Sequence, residues 1–586
     1  MKVVKGSFRT TGWLMAFILT GTGMAAALAE DRPSLKRDGG GSKAKAPVVA
    51  GNALIVPSAV SSGLAGRDVY QILLGEIALK RGEPGIAAEA YADAARRTGD
   101  LALFGRAVQV AVAAQHYETA LQISQKWVAA APDSADARHA LVSVLAGFRR
   151  GQEMLPHIER LLALDVDARP RNLMHLPRLF SGVEPGSALE AMQALVAPYK
   201  DQPEAQYALA SAGRTAGKND LALAAIREAS RLRPGWQVAA MLEAQLQPTS
   251  AEALAVWNRV LEENNAFEQG YIQRARLHLS ESRYREAQKD YESALALNPG
   301  SLDSLYALAI LALQLDDRPG AEKYFSQLDG REFSGKGLVE YQLGLMAQEK
   351  GDIDAARHHF GAVGKGDYYI EARGQLALMM ARQGDREAGR KLLRETEVAN
   401  AGERSRLAIA ESRLLREGLQ LEAAFAVLET ALAAEPNEPD LLYDKAMVAE
   451  QLKKVEVVDV TLARLIELRP NHPHAYNALG YSWADRNIRL EEARQLIFRA
   501  LELSPQDPFI LDSMGWVMFR LGQPEVALTH LEAAYRQRPD PEIAAHLGEV
   551  LWSIGRRDEA HKILSEARRR YPESAVLGAA IERFQP

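Results

Sequence analysis

The sequence predicts an all-α fold, an α-solenoid in which helix–turn–helix units stack on one another. Residues 471–572 consist of three copies of one unit, and each copy carries a glycine in its first half and an alanine in its second half. Each copy also ends on a proline, and these prolines continue a series that starts at Pro436 with spacings of 34, 35, 34 and 33 residues. Between these marks, apolar residues recur at the i, i+3, i+4 spacing of an amphipathic helix.

The glycine and the alanine of each unit are expected to mark the crossing of its two helices. The glycines are Gly480, Gly515 and Gly548, and the alanines are Ala493, Ala527 and Ala560. Small residues let two helix backbones approach closely, and a bulky residue there would overpack the hairpin at a cost of about 1–3 kcal/mol. Proline ends the second helix because it lacks an N–H group and clashes with the preceding turn. A single hairpin cannot bury its apolar face alone, so the units are expected to stack.

A period of about 34 residues with this pattern resembles the tetratricopeptide repeat (TPR), a helix–turn–helix unit. The small residue of the second helix recurs along the chain, mostly at intervals of 33 to 35 residues. Its positions are Ala87, Ala120, Ala222, Ala287, Ala321, Ala356, Gly389, Ala424, Val458, Ala493, Ala527 and Ala560. Counted by period, there is room for about fifteen units in residues 67–572. The resemblance implies TPR units that form a superhelix, with the first helices along its concave wall.

The chain is expected to have five segments. They are a signal peptide (1–29), a flexible leader (30–66), N-terminal TPR-like repeats (67–240) that are irregular at 145–200, a C-terminal TPR array (241–572) and a capping helix (573–586). The irregular part is predicted from its prolines, and a hinge or a break in curvature is expected there. The capping helix is expected to cover the last apolar surface, with Val576, Leu577, Ala580 and Ile581 on one face.

Residues 1–29 have the parts of a secretory signal peptide. Lys2, Lys5 and Arg9 form a positive start, an apolar stretch follows, and Ala27-Leu28-Ala29 is a suitable cleavage site. An uncleaved membrane anchor is the alternative, although the apolar stretch is short and interrupted by threonine and glycine. The sequence therefore predicts export across the inner membrane and a periplasmic location, with no transmembrane segment after signal cleavage.

The composition excludes several classes of function. With 70 basic and 76 acidic residues, the chain lacks the basic footprint of a nucleic-acid-binding protein. It has no cysteine, which excludes disulfides, thiolate metal sites, cysteine catalysis and a lipidated cysteine. No catalytic motif stands out, so neither an enzyme activity nor a cofactor is predicted. His472-Pro473-His474 and His358-His359 lack the helical spacing of a zinc site, so both are expected to be solvated and no metal is predicted.

The remaining candidate site is the concave wall of the solenoid. First-helix residues off the hairpin-packing stripe are expected to project inward and to bind a protein partner, because aromatic residues and arginine are the usual anchors of binding surfaces. They are Asn477, Tyr481, Asp485, Asp512, Trp516, Phe519, Arg520, Glu549 and Trp552 in the last three repeats, and Tyr306 and Tyr341 farther back. The alternative for Trp516 and Trp552 is that they fill contacts between stacked repeats or against the capping helix.

The run NALGYSWADRNIRLEEARQLIFRALELSPQDPFILDSMGWVMFRLGQPEVALTHLEAAYRQRPDPEIAAHLGEVLW, residues 477–552, is more specific. It resembles a family of proteobacterial envelope TPR proteins that includes the outer-membrane lipoprotein partner of the periplasmic carboxy-terminal processing protease. The resemblance implies a non-enzymatic adaptor that holds this serine protease and delivers its substrates, among them peptidoglycan hydrolases. This chain lacks the cysteine on which that lipoprotein is acylated. The alternative is an envelope assembly or export component that binds peptidoglycan or polysaccharide through the inward aromatic residues.

Overall fold

The computed structural model describes residues 66–583, and this part of the chain folds into 31 α-helices and one short 3₁₀-helix, with no β-strand. The predicted all-α class is therefore confirmed for the described part. The predicted signal peptide (1–29) and the leader (30–66, apart from Gly66) lie outside the described residues, as do the last three residues of the predicted capping helix. By their contacts the helices divide into two compact units, one ending at Asp316 and the other beginning at Asp317.

The first unit, residues 66–316, is a series of helices that pack in consecutive pairs, α1 with α2, α3 with α4 and onward to α13 with α14, with α15 at its end. The helices are α1 Gly66–Lys80, α2 Pro84–Thr98, α3 Leu101–Ala113, α4 Tyr117–Ala130, α5 Ala135–Gly147, α6 Gly151–Leu164, α7 Arg169–Leu179, α8 Pro185–Val196, α9 Pro203–Thr215, α10 Asn219–Leu232, α11 Gln237–Leu246, α12 Ser250–Glu263, α13 Glu268–Ser280, α14 Tyr284–Leu297 and α15 Leu302–Gln314. The 3₁₀-helix is Ala197–Tyr199.

The pairing changes between residues 145 and 200, where the sequence predicts irregular repeats. Helix α7 touches α8 only sparsely and packs mainly against α9. Pro156 and Pro177 lie inside α6 and α7, where each removes a backbone hydrogen bond. The segment is helical, with a splayed pair of helices in place of a regular hairpin.

The second unit, residues 317–583, opens with α16 and continues with seven hairpins, α17 with α18 through α29 with α30, followed by α31. The helices are α16 Arg318–Leu328, α17 Lys336–Lys350, α18 Ile353–Ala362, α19 Tyr369–Arg382, α20 Arg386–Arg394, α21 Ala401–Glu417, α22 Leu421–Ala434, α23 Pro439–Gln451, α24 Val455–Leu468, α25 Pro473–Asp485, α26 Leu490–Leu503, α27 Pro508–Arg520, α28 Pro524–Gln537, α29 Pro541–Ser553, α30 Arg557–Arg570 and α31 Ala575–Arg583. None of the helices in residues 66–583 combines the length and the apolar composition that crossing a bilayer requires.

The small residues that mark the second helices lie in the interior of the hairpins. Every alanine in the predicted series, and Val458, has 0% of its surface exposed, and Gly389 is buried as well. A larger side chain at these positions would have to displace the facing helix, because protein interiors are close-packed. The period read from the sequence therefore identifies the contact between the two helices of each hairpin.

The first-helix glycines approach the second helix as predicted, with one refinement. A Cβ atom placed on Gly515 would lie 3.0 Å from the carbonyl oxygen of Ala527 and 2.5 Å from Cγ of Leu531. The nearest side chain is thus four positions beyond the alanine. Gly480 meets Ile497 in the same way, and Gly548 meets Leu564. The glycine makes room for this larger side chain as well as for the alanine.

Prolines lie at both ends of the hairpins. Helices α26, α28 and α30 end two residues before the predicted prolines Pro505, Pro539 and Pro572. Helices α25, α27 and α29 begin at Pro473, Pro508 and Pro541. At the first position of a helix the missing N–H of proline has no intrahelical partner to lose.

The last described helix, α31, packs against α29 and α30. Leu577 is fully buried there, and Ala580 and Ile581 contact the same apolar cluster. Val576, which the sequence places on that face, is instead 49% exposed. A short helix of nine residues can turn only one narrow stripe toward its neighbours, and the residue next to Leu577 falls outside it.

Candidate partner-binding face

The first helices of the last repeats lie side by side. Helix α25 contacts α27, and α27 contacts α29, whereas successive second helices within residues 317–583 approach each other less closely. A stack whose first helices lie closer together than its second helices bends toward the first helices. The surface formed by α25, α27 and α29, here called the first-helix face, is therefore the inner side of this local bend.

Polar and aromatic side chains fill the centre of the first-helix face. The Nδ1 atom of His546 on α29 lies 3.0 Å from both carboxylate oxygens of Asp512 on α27. The His546 ring stacks on the Trp516 ring, with the centroids 4.3 Å apart and the planes 19° apart. Asp512 and Trp516 are each 5% exposed and His546 is 8% exposed. These three residues, here called the inner cluster, join two neighbouring repeats.

The burial of the inner cluster corrects part of the expectation from the sequence. Asp512 and Trp516 were predicted to project into an open groove, but both are enclosed between α27 and α29. Trp516 follows the alternative interpretation, a packing contact between stacked repeats. The reason is the close approach of the first helices, which leaves no solvent gap at the centre of the face.

Tyr481 on α25 covers the inner cluster from the preceding repeat. Its ring centroid lies 6.0 Å from that of His546, and its hydroxyl donates a hydrogen bond of 3.3 Å to Oε1 of Glu542. These two residues are 61 positions apart, so Tyr481 spans two repeat boundaries. Burial raises the pKa of the Tyr481 hydroxyl well above its ordinary value, so the group remains a donor.

The inner cluster favours a protonated imidazole. Burial alone would lower the pKa of His546, but the charge and the hydrogen bond of Asp512 outweigh it, and the nearby Glu542 and Glu549 carboxylates act in the same direction. The pKa of His546 is therefore raised above its ordinary value. In that state Asp512 and His546 form a buried ion pair, in which each partner compensates the desolvation of the other.

Two buried polar atoms on the first-helix face lack a hydrogen-bond partner within the described part of the chain. They are Nε1 of Trp516 and Oδ1 of Asn477. An unsatisfied buried polar group costs about 1–3 kcal/mol. A bound molecule that offered an acceptor to Trp516 and a donor to Asn477 would recover that energy, provided that the face opened slightly to admit it.

Phe519 and Arg520 are the last two residues of α27, and both are half-buried. The Phe519 ring centroid lies 5.6 Å from that of Trp516, and the Arg520 guanidinium carbon lies 5.7 Å from the same ring centroid. Arg520 also donates from Nε to Oδ1 of Asn487 at 3.3 Å. Asp485, at the end of α25, is exposed. The first-helix face thus presents an aromatic, a cationic and an acidic side chain beside the inner cluster.

Glu549 and Trp552 lie farther along α29 than His546 and pack toward the last helix. Glu549 accepts a hydrogen bond of 3.0 Å from Nη1 of Arg583 on the last helix. The Trp552 ring meets the edge of His561 on α30 at 5.3 Å, and the Arg557 guanidinium carbon lies 5.0 Å from its ring centroid. Trp552 therefore packs against its own hairpin and the last helix, as the alternative interpretation has it.

The two predicted tyrosines farther back belong to different units. Tyr341 on α17 stacks on Tyr368 at 5.3 Å and contacts Phe360 at 5.8 Å, and it is half-buried. Tyr306 lies on α15 of the first unit and is also half-buried. Of the residues singled out from the sequence, Asn477, Tyr481, Asp485, Asp512, Trp516, Phe519 and Arg520 lie on or beside the centre of the first-helix face.

Two residues of this site escaped the sequence analysis, His546 and Glu542. The signal for His546 was present, because it follows Asp512 by 34 residues, one full repeat period. Residues one period apart occupy equivalent positions in adjacent repeats and become neighbours when the repeats stack. Glu542 had no such signal, since its contact with Tyr481 depends on how closely three first helices approach.

Neither histidine motif is simply solvated, which corrects a second expectation. Nδ1 of His472 accepts a hydrogen bond of 3.1 Å from the backbone N–H of Ala475, so His472 caps α25. Burial lowers the pKa of His472, which keeps the accepting nitrogen free of a proton. His359 is half-buried, and its Nδ1 lies 2.9 Å from Oε2 of Glu340. His358 and His474 are exposed, as expected.

Comparison with known families identifies three parts of the chain. One tetratricopeptide-repeat model matches residues 278–333 and 518–582, and a second tetratricopeptide-repeat model matches residues 461–508. These matches include α25 and α29, but they leave residues 509–517 of α27 uncovered.

Among curated proteins, the chain is 33% identical over 211 residues to a TPR repeat-containing protein of Pseudomonas aeruginosa, which is 36% of each chain. It is 23% identical over 374 residues to cellulose synthase operon protein C of Pseudomonas fluorescens, covering 61% of this chain and 24% of that protein. The matched regions thus span about a third and a quarter of these two relatives.

Solved structures with similar helices include a thermophilic TPR protein of Thermus thermophilus, at 24% identity, with 30% of this chain and 98% of that chain covered and a TM-score of 0.29. The APC/C hetero-tetramer Cut9–Hcn1 matches at 16% identity, with 83% and 97% covered and a TM-score of 0.30.

Proposed function

The chain is a tetratricopeptide-repeat protein, and we propose that it is a non-enzymatic scaffold that binds protein partners on its first-helix face. The observation that carries this proposal is the composition of that face around the inner cluster. Half-buried Phe519 and Arg520 lie beside Trp516. Trp516 and Asn477, which lies on the neighbouring helix α25, each have a buried polar atom without a partner within the described residues. Aromatic residues and arginine next to a desolvated centre are typical of binding hot spots.

The proposal places this scaffold in the periplasm. The charged start, apolar stretch and A-x-A site of residues 1–29 support export. The resemblance of residues 477–552 to envelope TPR proteins supports a carboxy-terminal processing protease as one partner and peptidoglycan hydrolases as its substrates. The scaffold would then bring protease and substrate together without taking part in the chemistry.

The inner cluster supports recognition by a preformed surface. The stacking of Trp516 on His546 and the Asp512–His546 contact fix the side chains beneath Phe519 and Arg520. A surface whose side chains are already ordered loses less conformational entropy when a partner binds. The partner-facing part of the surface would be Tyr481, Phe519 and Arg520, with the inner cluster as its support.

The test is affinity capture from a solubilised cell envelope with residues 30–586 as bait. The double variant Tyr481→Ala/Arg520→Ala removes an aromatic residue and an arginine from the first-helix face. Its matched control is Phe498→Ala/Arg499→Ala, which removes the same residue classes from the exposed side of the second helix α26. We expect a processing protease and cell-wall hydrolases with the wild type and the control, and a loss of at least about tenfold with the first-helix variant, or about 1.4 kcal/mol. Equal capture of these proteins by all three baits would show that they do not bind through the first-helix face.

A second candidate function has a specific observation in its favour. One relative is named for a cellulose synthase operon, and the similarity extends over 61% of this chain. In this alternative the protein is an envelope assembly or export component that binds peptidoglycan or another polysaccharide. Co-sedimentation of the purified chain with peptidoglycan or cellulose, with no other protein present, would favour the alternative. The absence of co-sedimentation together with protein capture would favour the scaffold.

A further inference from the structure

A group of three side chains of metal-ligating type lies at the long junction between α16 and α17. Asp329 follows the last residue of α16, Glu340 lies near the start of α17, and His359 lies in the last turn of α18. One ligand atom of each residue lies within 4.8 Å of those of the other two. Three consecutive helices thus bring an imidazole and two carboxylates to one place.

Glu340 is the most constrained member of this group. It is 4% exposed, and His359 Nδ1 lies 2.9 Å from its Oε2 atom. Within the described part of the chain its one ion pair is with His359, while nearby Lys336 pairs with Glu332. A buried carboxylate needs a compensating charge or hydrogen bonds. The contact with His359 is one such hydrogen bond, and a bound cation would supply the compensating charge.

Access to the group comes from Asp329. This residue is exposed, whereas Glu340 is buried and His359 is half-buried. The group therefore has a solvated side through which an ion can enter and a buried side that fixes its position. Asp329 is the first residue after α16, at the start of the segment that leads to α17.

We propose that Asp329, Glu340 and His359 bind a divalent transition-metal ion of the zinc class. Zinc accepts imidazole nitrogen and carboxylate oxygen at about 2.0–2.2 Å, which places the ligand atoms of a tetrahedral site about 3.3 Å apart. The His359–Glu340 separation of 2.9 Å is close to that value. Binding would draw the Asp329 carboxylate, whose ligand atom lies within 4.8 Å of the other two, toward the ion. Three protein ligands leave one position for water or for a group of a bound partner.

The bound ion would cross-link two successive repeats. The segment between α16 and α17, residues 329–335, is longer than the other repeat junctions of this unit. An ion held by Asp329 on one side and by Glu340 and His359 on the other would connect α16 to the α17–α18 hairpin across that junction. Because the ion binds only the folded arrangement, it stabilises this junction by an amount that rises with the logarithm of its concentration once that concentration exceeds the dissociation constant.

The chain supplies a matched control for this site. His358 is adjacent to His359 on α18, is exposed, and does not belong to the group of three. Zinc that binds to any surface histidine would be reduced about equally by His358→Ala and His359→Ala. Zinc that binds at the proposed site would be reduced by His359→Ala alone.

The test is a zinc titration of the purified, chelator-stripped chain 30–586 against a chromophoric chelator, for the wild type, Asp329→Asn, His359→Ala and His358→Ala. We expect the wild type and His358→Ala to bind one zinc ion more than the other two variants, or to bind it at least about 10- to 100-fold more tightly, the range that loss of even an outer-shell partner costs. Zinc should also raise the melting temperature of the wild type and of His358→Ala more than that of the other two.

Asp329→Asn keeps the test independent of folding, because Asp329 is exposed and asparagine preserves its size. Its melting temperature without zinc should match that of the wild type. Equal zinc affinity in the wild type, Asp329→Asn and His359→Ala would overturn the proposal. An equal loss of zinc in His358→Ala and His359→Ala would overturn it too.

Discussion

At the scale of the single residue, His546 has the most contacts of different kinds on the first-helix face. Its Nδ1 atom bonds Asp512, its ring stacks on Trp516, and the Tyr481 ring lies 6.0 Å away. These partners come from the two preceding repeats. A change in the charge of one imidazole therefore acts on the packing of three first helices.

The raised pKa of His546 predicts how stability depends on pH. A group whose pKa is higher in the folded state contributes its full stabilisation below its unfolded pKa, about 6.5 for histidine, and loses it as the pH rises through the folded value. Replacing His546 by glutamine should thus lower the free energy of unfolding most at acid pH, by about 1.5–3 kcal/mol, the range for a hydrogen bond to a charged group. The difference between wild type and variant should shrink as the pH rises from about 6.5.

Urea titrations between pH 5.5 and pH 8.5, followed by tryptophan fluorescence, measure this difference. His530→Gln is the control, because His530 lies on the second helix α28 and burial lowers its pKa. For His530→Gln, the difference in the free energy of unfolding from the wild type should therefore change with pH in the opposite direction to that for His546→Gln. A difference for His546→Gln that stayed constant or grew with pH would contradict the account.

Residue by residue, the sequence predicts the buried positions better than the pairs they form. The alanines that mark the second helices are fully buried, because a strict period repeats the same environment. The Asp512–His546 pair and the Asp329–Glu340–His359 group were missed. Both depend on how neighbouring helices are rotated relative to each other, which spacing along the chain does not specify.

At the scale of the element, the hairpin is the unit that the sequence encodes most directly. Glycine in the first helix lets a large side chain of the second helix approach, as Leu531 does at Gly515. The same relation holds between Gly75 and Tyr91 and between Gly344 and Phe360, where an aromatic ring occupies the space. These hairpins are therefore predictable, whereas the splayed pair α7 and α8 lies in a region where prolines interrupt α6 and α7.

Contacts between elements one period apart are a second recurring feature. Arg382 pairs with Glu417 and Arg583 with Glu549, 35 and 34 residues apart. Each joins first helices of adjacent repeats or a first helix to the last helix. Because these pairs are partly solvated, each contributes little to stability. The buried Asp512–His546 pair has the same spacing and is the exception.

Gly515→Ala tests the close approach of the two helices in a hairpin. The added Cβ would lie 2.5 Å from Cγ of Leu531, so one helix has to move and the free energy of unfolding should fall by about 1–3 kcal/mol. The control is Gly361→Ala in α18, where nothing lies within 4 Å of an added Cβ. That change should be neutral or stabilise by up to about 1 kcal/mol, because alanine favours the helix.

Thermal or urea unfolding measured by circular dichroism gives both values. Since solenoid repeats contact mainly their neighbours, the effect of Gly515→Ala should be confined to α25 through α30 in hydrogen exchange. Equal stability of the two variants would mean that the hairpin tolerates a Cβ at Gly515. The close approach would then not be what selects glycine there.

At the scale of the whole molecule, each unit is a succession of local contacts without a single central core. Stability in such an array is approximately a sum over repeats and their interfaces, so a surface formed by adjacent first helices can be altered without unfolding distant repeats. In the proposed scaffold, function belongs to such a surface. The first-helix face combines half-buried aromatic and cationic side chains with two buried polar atoms that lack partners within the described residues.

The most direct test of this account is site-specific photo-crosslinking in living cells. A photoreactive amino acid replaces Phe519 on the first-helix face in one strain and Phe498, which is 55% exposed on α26, in another. The account predicts crosslinks to specific envelope proteins from position 519 and none of those crosslinks from position 498. Crosslinks to the same proteins from position 498 alone, or equally from both positions, would contradict it.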